Sequence, residues 1–366
     1  MKVIISGGGT GGHVYPAIAI AQTLKKRFPQ VEILFVGAEG KIEMDKVPKA
    51  GFKIEGLFIR GFSRKISIEN FKNIFRLFSA VSKANKIVKN FNPDIAIGFG
   101  GYASGPTLYA AQRKGVKTLL QEQNSFPGIT NKFLAKRAQK ICVAYFGLDN
   151  FFEKEKITLT GNPVRSDIWE NNLSKEEALS HFQLKKNTKT ILLFGGSLGA
   201  RTLNRAVRDN YMSLAEHDSV QMIWQMGKLY EKEYMEVDAA KDDRIHPMTF
   251  IDRMDLAYTA ADIIICRAGA LSISELALVK KPVILVPSPN VAEDHQTKNA
   301  MALVNEGAAY LVKDNVAIEQ LLPTAISLLK DEEKQEELSQ NIAKFAKPNA
   351  ANSIVDEIIK LIDGVS

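Results

Sequence analysis

The segment SGGGTGGHVYPA, Ser6–Ala17, places a histidine directly after a run of glycines near the start of the chain. Glycines let the backbone approach a ligand closely, and the start of the following helix adds partial positive charge. Such a segment suits a phosphate-bearing ligand. His13 brings a ring that titrates near neutral pH, which suits proton transfer. We therefore predict chemistry at the mouth of this helix; a helix-capping or packing histidine is the alternative.

The same glycines are compatible with a dinucleotide site. Gly7, Gly9 and Gly12 satisfy the pattern G-x-G-x-x-G after a predicted strand, and Glu39 follows the second predicted strand, where an acid would bind a ribose. The pattern is weak alone, so binding of NAD or FAD stays open, as does a purely structural turn. His13 argues against a dinucleotide, because its bulk at the mouth of the helix favours chemistry over close pyrophosphate packing.

A second glycine loop, FGGYASGP at Phe99–Pro106, follows another predicted strand of the same domain. Two such loops at one edge of a sheet make the floor of a crevice suited to a phosphate-bearing ligand. The alternative is a pair of tight turns between strands and helices, with no ligand.

A third glycine loop, FGGSLGAR at Phe194–Arg201, opens the second half of the pattern. We predict a phosphate-binding loop in which the Ser197 hydroxyl and backbone N–H groups are donors. Gly195, Ser197 and Gly199 also fit the G-x-S-x-G nucleophile elbow of a serine hydrolase. Downstream histidines that would complete a triad are His217, His246 and His295. The extra glycine before the serine and the two-domain organisation favour phosphate binding.

The segment CRAGALSISELAL, Cys266–Leu278, follows the predicted strand DIIIC. We predict a turn at Gly269–Leu271 and a helix capped by Ser272, with Glu275 at the capping-box offset. The functional interpretation is a helix start aimed at a diphosphate, with Glu275 accepting hydrogen bonds from ribose hydroxyls. A further polar segment, PSPNVAEDHQTKNA at Pro287–Ala300, leads into a helix and has a plain surface loop as its alternative.

Short apolar runs, glycine-rich turns and amphipathic stretches alternate along the chain. The predicted strands are Lys2–Ser6, Val31–Val36, Asp94–Phe99, Thr118–Leu120, Ile141–Ala144, Thr190–Phe194, Asp262–Cys266 and Pro282–Val286. The predicted helices include Pro16–Arg27, Arg201–Val207 and Ala351–Ile362. Strands that alternate with helices favour parallel sheets covered on both faces, the doubly wound α/β class.

The pattern restarts at Thr190–Phe194, where a second strand, glycine loop and helix open a second doubly wound domain. A chain of 366 residues also exceeds what one core usually supports. Gly, Asn and Pro favour a boundary at Thr160–Ser166. We predict domains at residues 1–164 and 165–344, and a C-terminal helix, at about 345–366, that can pack back on the first domain.

The chain carries 48 Lys and Arg against 41 Asp and Glu, a net charge of +7, but these charges are unevenly distributed. Residues 1–165 hold 26 basic and 11 acidic side chains, whereas residues 166–366 hold 22 and 30. The basic half favours an anionic surface or a polyanion as partner. Nucleic acid is the non-enzyme alternative, and no recognised binding module supports it. A composition of 45% hydrophobic and 24% charged residues excludes disordered and fibrous classes.

Two cysteines, Cys142 and Cys266, both lie in apolar runs. We predict buried, reduced thiols, and two cysteines are too few for a disulfide framework or a Cys-based zinc site. A cytosolic compartment follows. No apolar stretch approaches the roughly 20 residues of a transmembrane helix. The first apolar run stops at the glycine loop after Ser6, which argues against a signal peptide.

One basic segment has the pattern of an amphipathic helix. Residues 51–100 hold 9 basic and 3 acidic side chains, and Ile66–Asn90 within them interleaves aromatic and basic positions. The apolar positions are Phe71, Ile74, Phe75 and Phe78, and the basic ones are Lys72, Arg76, Lys83, Lys86 and Lys89. Such a helix can lie on an anionic membrane. The alternative is an ordinary domain helix whose aromatic face is core.

Seven segments, taken in order, resemble the MurG family of bacterial UDP-N-acetylglucosamine transferases over nearly the whole chain. They are SGGGTGGHVYPA, FGGYASGP, QEQNSFPGITNK (Gln121–Lys132), GNPVR (Gly161–Arg165), FGGSLGAR, CRAGALSISE and EDHQTKNA. Each is weak alone, whereas seven in this order and at this spacing are specific. The resemblance implies a GT-B fold, in which two Rossmann-like doubly wound domains face across a cleft and the C-terminal one holds most of the donor nucleotide.

The resemblance also implies a reaction and its partners. It implies inverting transfer of N-acetylglucosamine from UDP-GlcNAc to the muramyl 4-hydroxyl of undecaprenyl-pyrophosphoryl-MurNAc-pentapeptide (lipid I), which gives lipid II for peptidoglycan synthesis. Because lipid I lies in the inner leaflet, a peripheral protein on the cytoplasmic face of the bacterial membrane is implied, with an anionic surface as partner and no nucleic acid. Membrane contact would fall on Phe71, Lys72, Ile74, Phe75, Arg76 and Phe78. The sequence has no Asp-x-Asp segment, so we expect neither a metal nor a cofactor.

Matching the motifs position by position implies the residues of the site. The implied donor contacts are Thr10, Gly11, Gly12, Asn124, Arg165, Ser197, Ile251, Ala270, Leu271, Ser272, Ile273, Ser274, Glu275 and Gln296. Ile251, in TFIDRM, would hold uracil through backbone groups, and Glu275 would bind the ribose. An inverting displacement needs a base for the acceptor hydroxyl and stabilisation of the departing diphosphate. His13 is the candidate base, and the third glycine loop with the helix near Ser272 would stabilise the diphosphate.

Overall fold

The computed structural model describes residues 1–59, 68–196, 198–215, 219–291 and 294–364, apart from the side chains of residues 68–74 and 215. The chain divides into two compact units, one of residues 1–165 with 347–366 and the other of residues 166–346. The strand pairs formed by the described residues are parallel in both sheets. The predicted doubly wound α/β class is therefore confirmed.

The first unit is built on a seven-stranded sheet. Its strands are β1 (Lys2–Ser6), β2 (Glu32–Ala38), β3 (Lys53–Leu57), β4 (Ile95–Gly98), β5 (Lys117–Glu122), β6 (Lys140–Val143) and β7 (Ile157–Leu159). They lie in the order β3-β2-β1-β4-β5-β6-β7. Its first five helices are α1 (Gly11–Arg27), α2 (Glu43–Lys49), α3 (Ile68–Phe91), α4 (Ser104–Arg113) and α5 (Ile129–Ala135).

The second unit repeats this plan on six strands. They are β8 (Lys189–Phe194), β9 (Val220–Gln225), β10 (Ile245–Met248), β11 (Ile263–Cys266), β12 (Val283–Leu285) and β13 (Tyr310–Leu311), in the order β10-β9-β8-β11-β12-β13. Its helices are α6 (Lys175–His181), α7 (Arg201–Asn210), α8 (Met212–Ala215), α9 (Glu231–Tyr234), α10 (Met254–Ala260), α11 (Ala270–Val279), α12 (His295–Val304), α13 (Ala317–Lys330) and α14 (Glu332–Ala343).

The last helix, α15 (Ala350–Asp363), belongs to the first unit. Ile354, Val355 and Ile358 are fully buried in one apolar cluster with residues of α1 and β1. On the surface, the Arg27 guanidinium at the end of α1 lies 2.7 Å from the Asp356 carboxylate. The predicted C-terminal helix thus covers the first sheet rather than the second.

Both faces of the first sheet are covered by helices, and the side chains of its strands alternate between the two faces. In β1, Val3 and Ile5 join the cluster formed with α1 and α15, whereas Ile4 joins the cluster formed with α3 and α4. This arrangement accounts for the continuous apolar run of the strand, which is typical of parallel sheets covered on both sides.

The two cysteines are buried and unpaired, as predicted. Cys142 lies on β6 and Cys266 on β11. Burial raises the pKa of both thiols, because the charged thiolate would lose its hydration. They are therefore inert parts of the two cores.

Each sheet has a point where the strand order reverses. In the first unit the chain runs outward from β1 through β2 to β3 and returns to β4 on the other side of β1. In the second, β8 and β11 have the same relation. Loops that follow two such strands diverge and leave a crevice at the carboxyl end of the sheet, where ligands bind in this class of fold. The first and second glycine loops, predicted to share one sheet edge, therefore do so.

The predicted start of the first helix, at Pro16, is wrong. The helix begins at Gly11, and Pro16 lies inside it. The N–H groups of His13 and Val14 both bond to the carbonyl oxygen of Thr10, each at 3.2 Å, which closes the first turn. Glycine is unfavourable in a helix interior because its backbone loses more conformational freedom there, but Gly11 and Gly12 lie at the start of the helix and not in its interior.

Candidate active site

The first glycine loop joins β1 to α1. Gly9 has φ +87°, a backbone conformation that only glycine adopts without strain. Thr10 is extended and exposed and precedes the helix, whose first turn contains Gly11, Gly12 and His13 and no acidic side chain. The N-terminal dipole of a 17-residue helix is therefore directed at this loop.

The ring of His13 is oriented by the loop that precedes it. Its Nδ1 lies 3.1 Å from the carbonyl oxygen of Gly8 and 3.3 Å from the Thr10 hydroxyl. A carbonyl oxygen only accepts, so Nδ1 must carry the proton; this tautomer is assigned from the partners. In the neutral ring the lone pair is then on Nε2, which is the atom a general base needs.

The second glycine loop packs its backbone directly on the first. Gly100 and Gly101 have φ +85° and +84°. A methyl group at Gly101 would lie 2.2 Å from the carbonyl oxygen of Gly8, and one at Gly100 would lie 3.1 Å from Nε2 of His13. Position 101 therefore requires glycine, because any side chain there would clash with the backbone of Gly8. Nε2 of His13 faces the second loop at Gly100.

A buried carboxyl group organises the segment that contains Asn124. Glu122, at the end of β5, accepts from the backbone N–H of Asn124 at 3.1 Å, from that of Gly128 at 3.2 Å and from the Asn131 amide at 2.8 Å. Burial raises the pKa of Glu122, and the hydrogen bonds from Asn124 and Asn131 oppose this shift. Asn124 is itself half-buried, and the hydrogen bond from its backbone N–H to Glu122 fixes its position.

Arg165 lies beside the first helix. Its guanidinium carbon is 5.4 Å from the ring centroid of Tyr15, a cation–π contact. The segment before it is anchored by Asn162, whose Oδ1 accepts from the Gln121 amide at 2.9 Å and whose Nδ2 donates to the Gln123 carbonyl at 3.1 Å. The first unit thus places Thr10, Gly11, Gly12 and His13 at the start of α1, and Arg165 lies against Tyr15 of the same helix.

Sequence reasoning missed Glu43. This residue begins α2 and is fully buried beneath the first glycine loop. Its Oε2 accepts from the backbone N–H of Gly9 at 2.8 Å, and its Oε1 accepts from that of Ala38 at 2.9 Å. The contact with Gly9 spans 34 residues of sequence, so no local pattern indicates it.

The third glycine loop is supported by a neutral side chain. Gln225, buried at the end of β9, accepts from the Gly195 N–H at 3.2 Å and donates to the Gly196 carbonyl at 2.9 Å. Gly199 has φ +86°, and a methyl group there would lie 2.0 Å from the Met226 carbonyl oxygen. Ser197, the predicted phosphate ligand or nucleophile, lies outside the described residues, as does His217.

The predicted turn at Gly269–Leu271 and cap at Ser272 are wrong. Helix α11 already begins at Ala270, with extended Gly269 as its N-cap and no capping side chain. Because Ser272 and Glu275 lie inside the helix, they cannot form a capping box at its start. The first turn contains no acidic residue, so its N–H groups and dipole suit an anion. This turn includes the predicted donor contacts Ala270, Leu271, Ser272 and Ile273, followed by Ser274.

Glu275 is oriented by a buried tyrosine. The Tyr258 hydroxyl, on α10, donates to Oε2 of Glu275 at 2.8 Å. Burial raises the pKa of Tyr258 well above its ordinary value, and the Glu275 charge raises it further, so the phenol remains a donor. Glu275 is half-buried in the middle of α11, and the hydrogen bond from Tyr258 holds its carboxylate in one orientation.

Ile251 and Gln296 lie on two further connections of the second unit. Ile251 follows β10 and is buried. Gln296, in the first turn of α12, accepts from the Ser288 N–H at 2.8 Å, which ties this helix to the loop after β12. Within the described ranges, no three His, Cys, Asp or Glu side chains are grouped to hold a metal ion.

Family models match both halves of the chain. The glycosyltransferase family 28 N-terminal domain matches residues 3–143, and the glycosyltransferase family 28 C-terminal domain matches residues 190–354. The first range contains both glycine loops of the first unit, and the second contains the third loop and α11.

Curated proteins similar over the full length share one description. The chain is 54% identical over 363 residues to the UDP-N-acetylglucosamine–N-acetylmuramyl-(pentapeptide) pyrophosphoryl-undecaprenol N-acetylglucosamine transferase of Parabacteroides distasonis, covering 99% of this chain and 98% of that protein. It is 52% identical over 363 residues to the Christiangramia forsetii protein of the same description, with the same coverage. The crystal structure of Acinetobacter baumannii MurG is similar at TM-score 0.72 and 27% identity, over 98% of this chain and 99% of that one. Both units therefore have counterparts in these proteins.

Proposed function

The chain belongs to glycosyltransferase family 28, among the UDP-N-acetylglucosamine–N-acetylmuramyl-(pentapeptide) pyrophosphoryl-undecaprenol N-acetylglucosamine transferases, and on this premise we propose the reaction it performs. It transfers N-acetylglucosamine from UDP-GlcNAc to the muramyl 4-hydroxyl of lipid I with inversion, giving lipid II for peptidoglycan and releasing UDP. The observation that carries the proposal is a glycine loop at the switch point of each sheet, with His13 in the first. Membership of this family excludes the oxidoreductase and serine hydrolase hypotheses.

The second unit holds the UDP moiety. The third glycine loop, through its backbone and Ser197, and the first turn of α11, from Ala270 to Ser274, direct N–H and hydroxyl donors at the diphosphate. Negative charge that develops on the leaving diphosphate is stabilised by these donors and by the helix dipole. Glu275, fixed by Tyr258, accepts from the ribose hydroxyls.

Two further contacts fix the donor. Backbone groups of Ile251 hold the uracil, and Gln296 contacts the UDP-sugar from the start of α12. Both lie on connections that follow strands of the second sheet, where the buried side chain of Ile251 and the Ser288 contact of Gln296 limit their movement. A rigid support of this kind lowers the entropy lost on binding.

The first unit supplies the base. Nε2 of His13 takes the proton of the muramyl 4-hydroxyl while that oxygen attacks the anomeric carbon. The bond from this carbon to the diphosphate breaks, and its electron pair leaves with UDP. Thr10, Gly11 and Gly12 contact the donor through the start of α1, where the helix dipole favours an anion. Asn124, held by Glu122, and Arg165, held over Tyr15, also contact the donor.

Contact with an anionic membrane is proposed for the first unit. On α3, Phe75 is 76% exposed and Phe78 is 69% exposed, so the alternative that buries the aromatic face in the core does not hold for these two. Arg76 lies 5.2 Å from the ring centroid of the exposed Phe58. The side chains of Phe71, Lys72 and Ile74 are outside the described ones.

A second exposed apolar pair lies on a neighbouring helix of the same unit. Helix α3 packs on α4, and α4 packs on α5, where Ile129 and Phe133 are 86% and 60% exposed. Apolar side chains among basic ones favour peripheral binding to the inner leaflet, where lipid I is found. Among the helices that the structure describes, none has the length and apolar character to cross a bilayer. Co-sedimentation with vesicles tests the proposal: we expect binding that is stronger with anionic than with neutral lipid and weakens with salt, and equal binding would contradict the electrostatic part.

A transfer assay tests the reaction itself. The purified full chain is incubated with radiolabelled UDP-GlcNAc and lipid I in detergent, and label in the lipid product is measured together with released UDP. We expect one UDP per transferred sugar. A parallel thermal-shift titration should show stabilisation by UDP-GlcNAc and none by NADH. Donor hydrolysis without label in the lipid, or stabilisation by NADH alone, would contradict the proposed function.

A further inference from the structure

One peptide group links the candidate base to a buried carboxylate. The carbonyl oxygen of Gly8 accepts from Nδ1 of His13 at 3.1 Å. The N–H of Gly9, at the other end of the same peptide, donates to Oε2 of Glu43 at 2.8 Å. We propose that Glu43 is a positioning residue that acts through the Gly8–Gly9 peptide to fix the His13 tautomer and strengthen Nε2 as a base. This inference rests on the role of His13 in the proposed function.

Polarisation of the shared peptide explains how the carboxylate reaches the ring. A peptide whose N–H donates to an anion has a more negative carbonyl oxygen, which makes that oxygen a better acceptor. The carbonyl of Gly8 then holds the Nδ1 proton of His13 more strongly and stabilises the imidazolium that forms when Nε2 takes a proton. An acid hydrogen-bonded directly to a catalytic histidine works by the same logic, here with one peptide between the two groups.

The carboxylate of Glu43 is built into the fold. Its two oxygens each accept from a backbone N–H, of Gly9 and of Ala38, which is how an ionised carboxylate is satisfied away from water. A methyl group at Gly8 would lie 2.0 Å from Oε1 of Glu43, and one at Gly37 would lie 2.6 Å from its Cγ. Both glycines therefore leave the space that the carboxylate occupies.

Other titratable groups lie on the elements around His13. Tyr15 follows on the same helix with the Arg165 guanidinium over its ring. Tyr102 is exposed on the second loop. Glu122 approaches through Asn131, whose Nδ2 would be 3.9 Å from a methyl group at Gly100. Among these acids, Glu43 is the one joined to Nδ1 through a single peptide, because Glu122 bonds to Asn131 instead.

Nitrogen NMR of the ring tests the inference without any enzyme assay. The full chain, labelled at its five histidines, is titrated with pH, and His13 is assigned by its loss in His13→Asn. In the wild type we expect neutral His13 to carry its proton on Nδ1. A dominant Nε2–H tautomer would overturn the proposal with no further variant.

The variant Glu43→Gln removes the charge and keeps the size. We expect the pKa of His13 to fall by about half a unit to one unit, because the imidazolium loses the stabilisation by an anion. The matched control is Glu39→Gln, whose carboxylate is exposed and pairs with Lys83 at 3.2 Å, so water screens it and His13 should be unaffected. An equal pKa of His13 in Glu43→Gln and Glu39→Gln would overturn the proposal.

Kinetics separates this inference from the proposed function. His13 must be neutral to act as base, so kcat rises with pH through its pKa. In Glu43→Gln we expect this acidic limb to move to lower pH and the plateau to fall several-fold, while KM for UDP-GlcNAc is retained. If kcat falls in Glu43→Gln but neither the acidic limb of the pH profile nor the pKa of His13 measured by NMR moves, Glu43 only supports the structure of the loop. That result would overturn the proposal. Absence of transfer by the wild type would reject the proposed function, and the NMR result would still decide the link.

If Glu43→Gln does not fold, as judged by near-UV circular dichroism and UDP binding, Glu43→Asp takes its place. This variant keeps the charge but shortens the side chain, so its carboxylate loses the bond to Gly9. We then expect a fall in the His13 pKa of the same sign, and an unchanged value would count against the proposal.

Discussion

The two units support their glycine loops with different side chains. In the first unit, the carboxylate of Glu43 accepts from Gly9 beneath the loop that leads to His13. In the second, the amide of Gln225 bonds to both Gly195 and Gly196 beneath the loop that leads to α7. Both side chains are buried and both reach across from a neighbouring element, yet one carries a charge and the other does not.

This difference indicates what each loop is for. Support alone needs hydrogen bonds, which an amide supplies without the cost of burying a charge. A negative charge under the second unit's loop would repel the diphosphate proposed to bind there. Under the first unit's loop the same charge is proposed to favour the protonated form of His13. The comparison therefore agrees with the proposed roles, in which the diphosphate binds over the neutral support and proton transfer takes place over the charged one.

Replacing His13 should have the largest effect. In His13→Asn we expect kcat to fall roughly 10²–10⁴-fold, because the acceptor hydroxyl loses its base. UDP affinity, measured by calorimetry, should remain close to that of the wild type, because most of the nucleotide is proposed to bind to the second unit. Turnover like that of the wild type would show that His13 is not the base. The charge of Glu43 beneath the first loop would then have no role in proton transfer.

Placing a charge under the second loop should destabilise that unit. Gln225→Glu directs a carboxylate at the carbonyl oxygens of Gly196 and Thr249, which the Gln225 amide now donates to. We expect the free energy of unfolding to drop by about 2–4 kcal/mol, because the buried carboxylate keeps only the Gly195 N–H as a donor and its second oxygen faces two carbonyl oxygens. Gln320→Glu, at an exposed site on α13, is the matched control in chemical denaturation. Equal stability of the two variants would show that the amide is not required.

Much of this arrangement follows from local patterns in the sequence. The run of apolar residues in β8, the glycines after it and the amphipathic α7 together indicate a strand, a loop and a helix, and β1 is likewise followed by a glycine loop and a helix. Parallel strands place the loops after them at one edge of the sheet, so the strand pattern alone groups the glycine loops. The fold class and the grouping of the two loops of the first unit were predictable for this reason.

Other elements carry no such signal. Strand β10 contains Pro247, which argues against a strand, but the structure places it at the edge of the sheet, where a missing N–H is tolerated. Strand β9 is followed by a single glycine, Gly227, and not by a glycine-rich loop like those after β1 and β8. Glu43 and Gln225 act over 34 and 30 residues of sequence, so their roles emerge only when the elements pack.

A test of the ribose contact concerns binding alone. In Glu275→Gln we expect the Kd for UDP-GlcNAc to rise about ten-fold, equivalent to the roughly 1.4 kcal/mol of a charged hydrogen bond, with kcat little changed. Tyr258→Phe removes the hydroxyl that orients Glu275 and should produce a smaller rise. A change in kcat with an unaltered Kd would contradict the assignment of binding to the second unit.

The smallest effect is expected at the surface of the first unit that is proposed to contact the membrane. The double change Phe75→Ser and Phe78→Ser should weaken vesicle binding several-fold, because two exposed rings no longer enter the interface. Turnover with a soluble acceptor should be unchanged. Leu229→Ser, which alters a side chain 67% exposed in the second unit, is the control and should leave vesicle binding intact.

The return of α15 to the first unit has a consequence for biosynthesis. The helix supplies Ile354, Val355 and Ile358 to the core around β1 and α1, although the ribosome makes it only after the whole second unit. Residues 166–346 form the complete second unit and emerge first as a finished set. During translation the second unit can therefore close its core before the first, and the core of the first unit is completed only when α15 has been made.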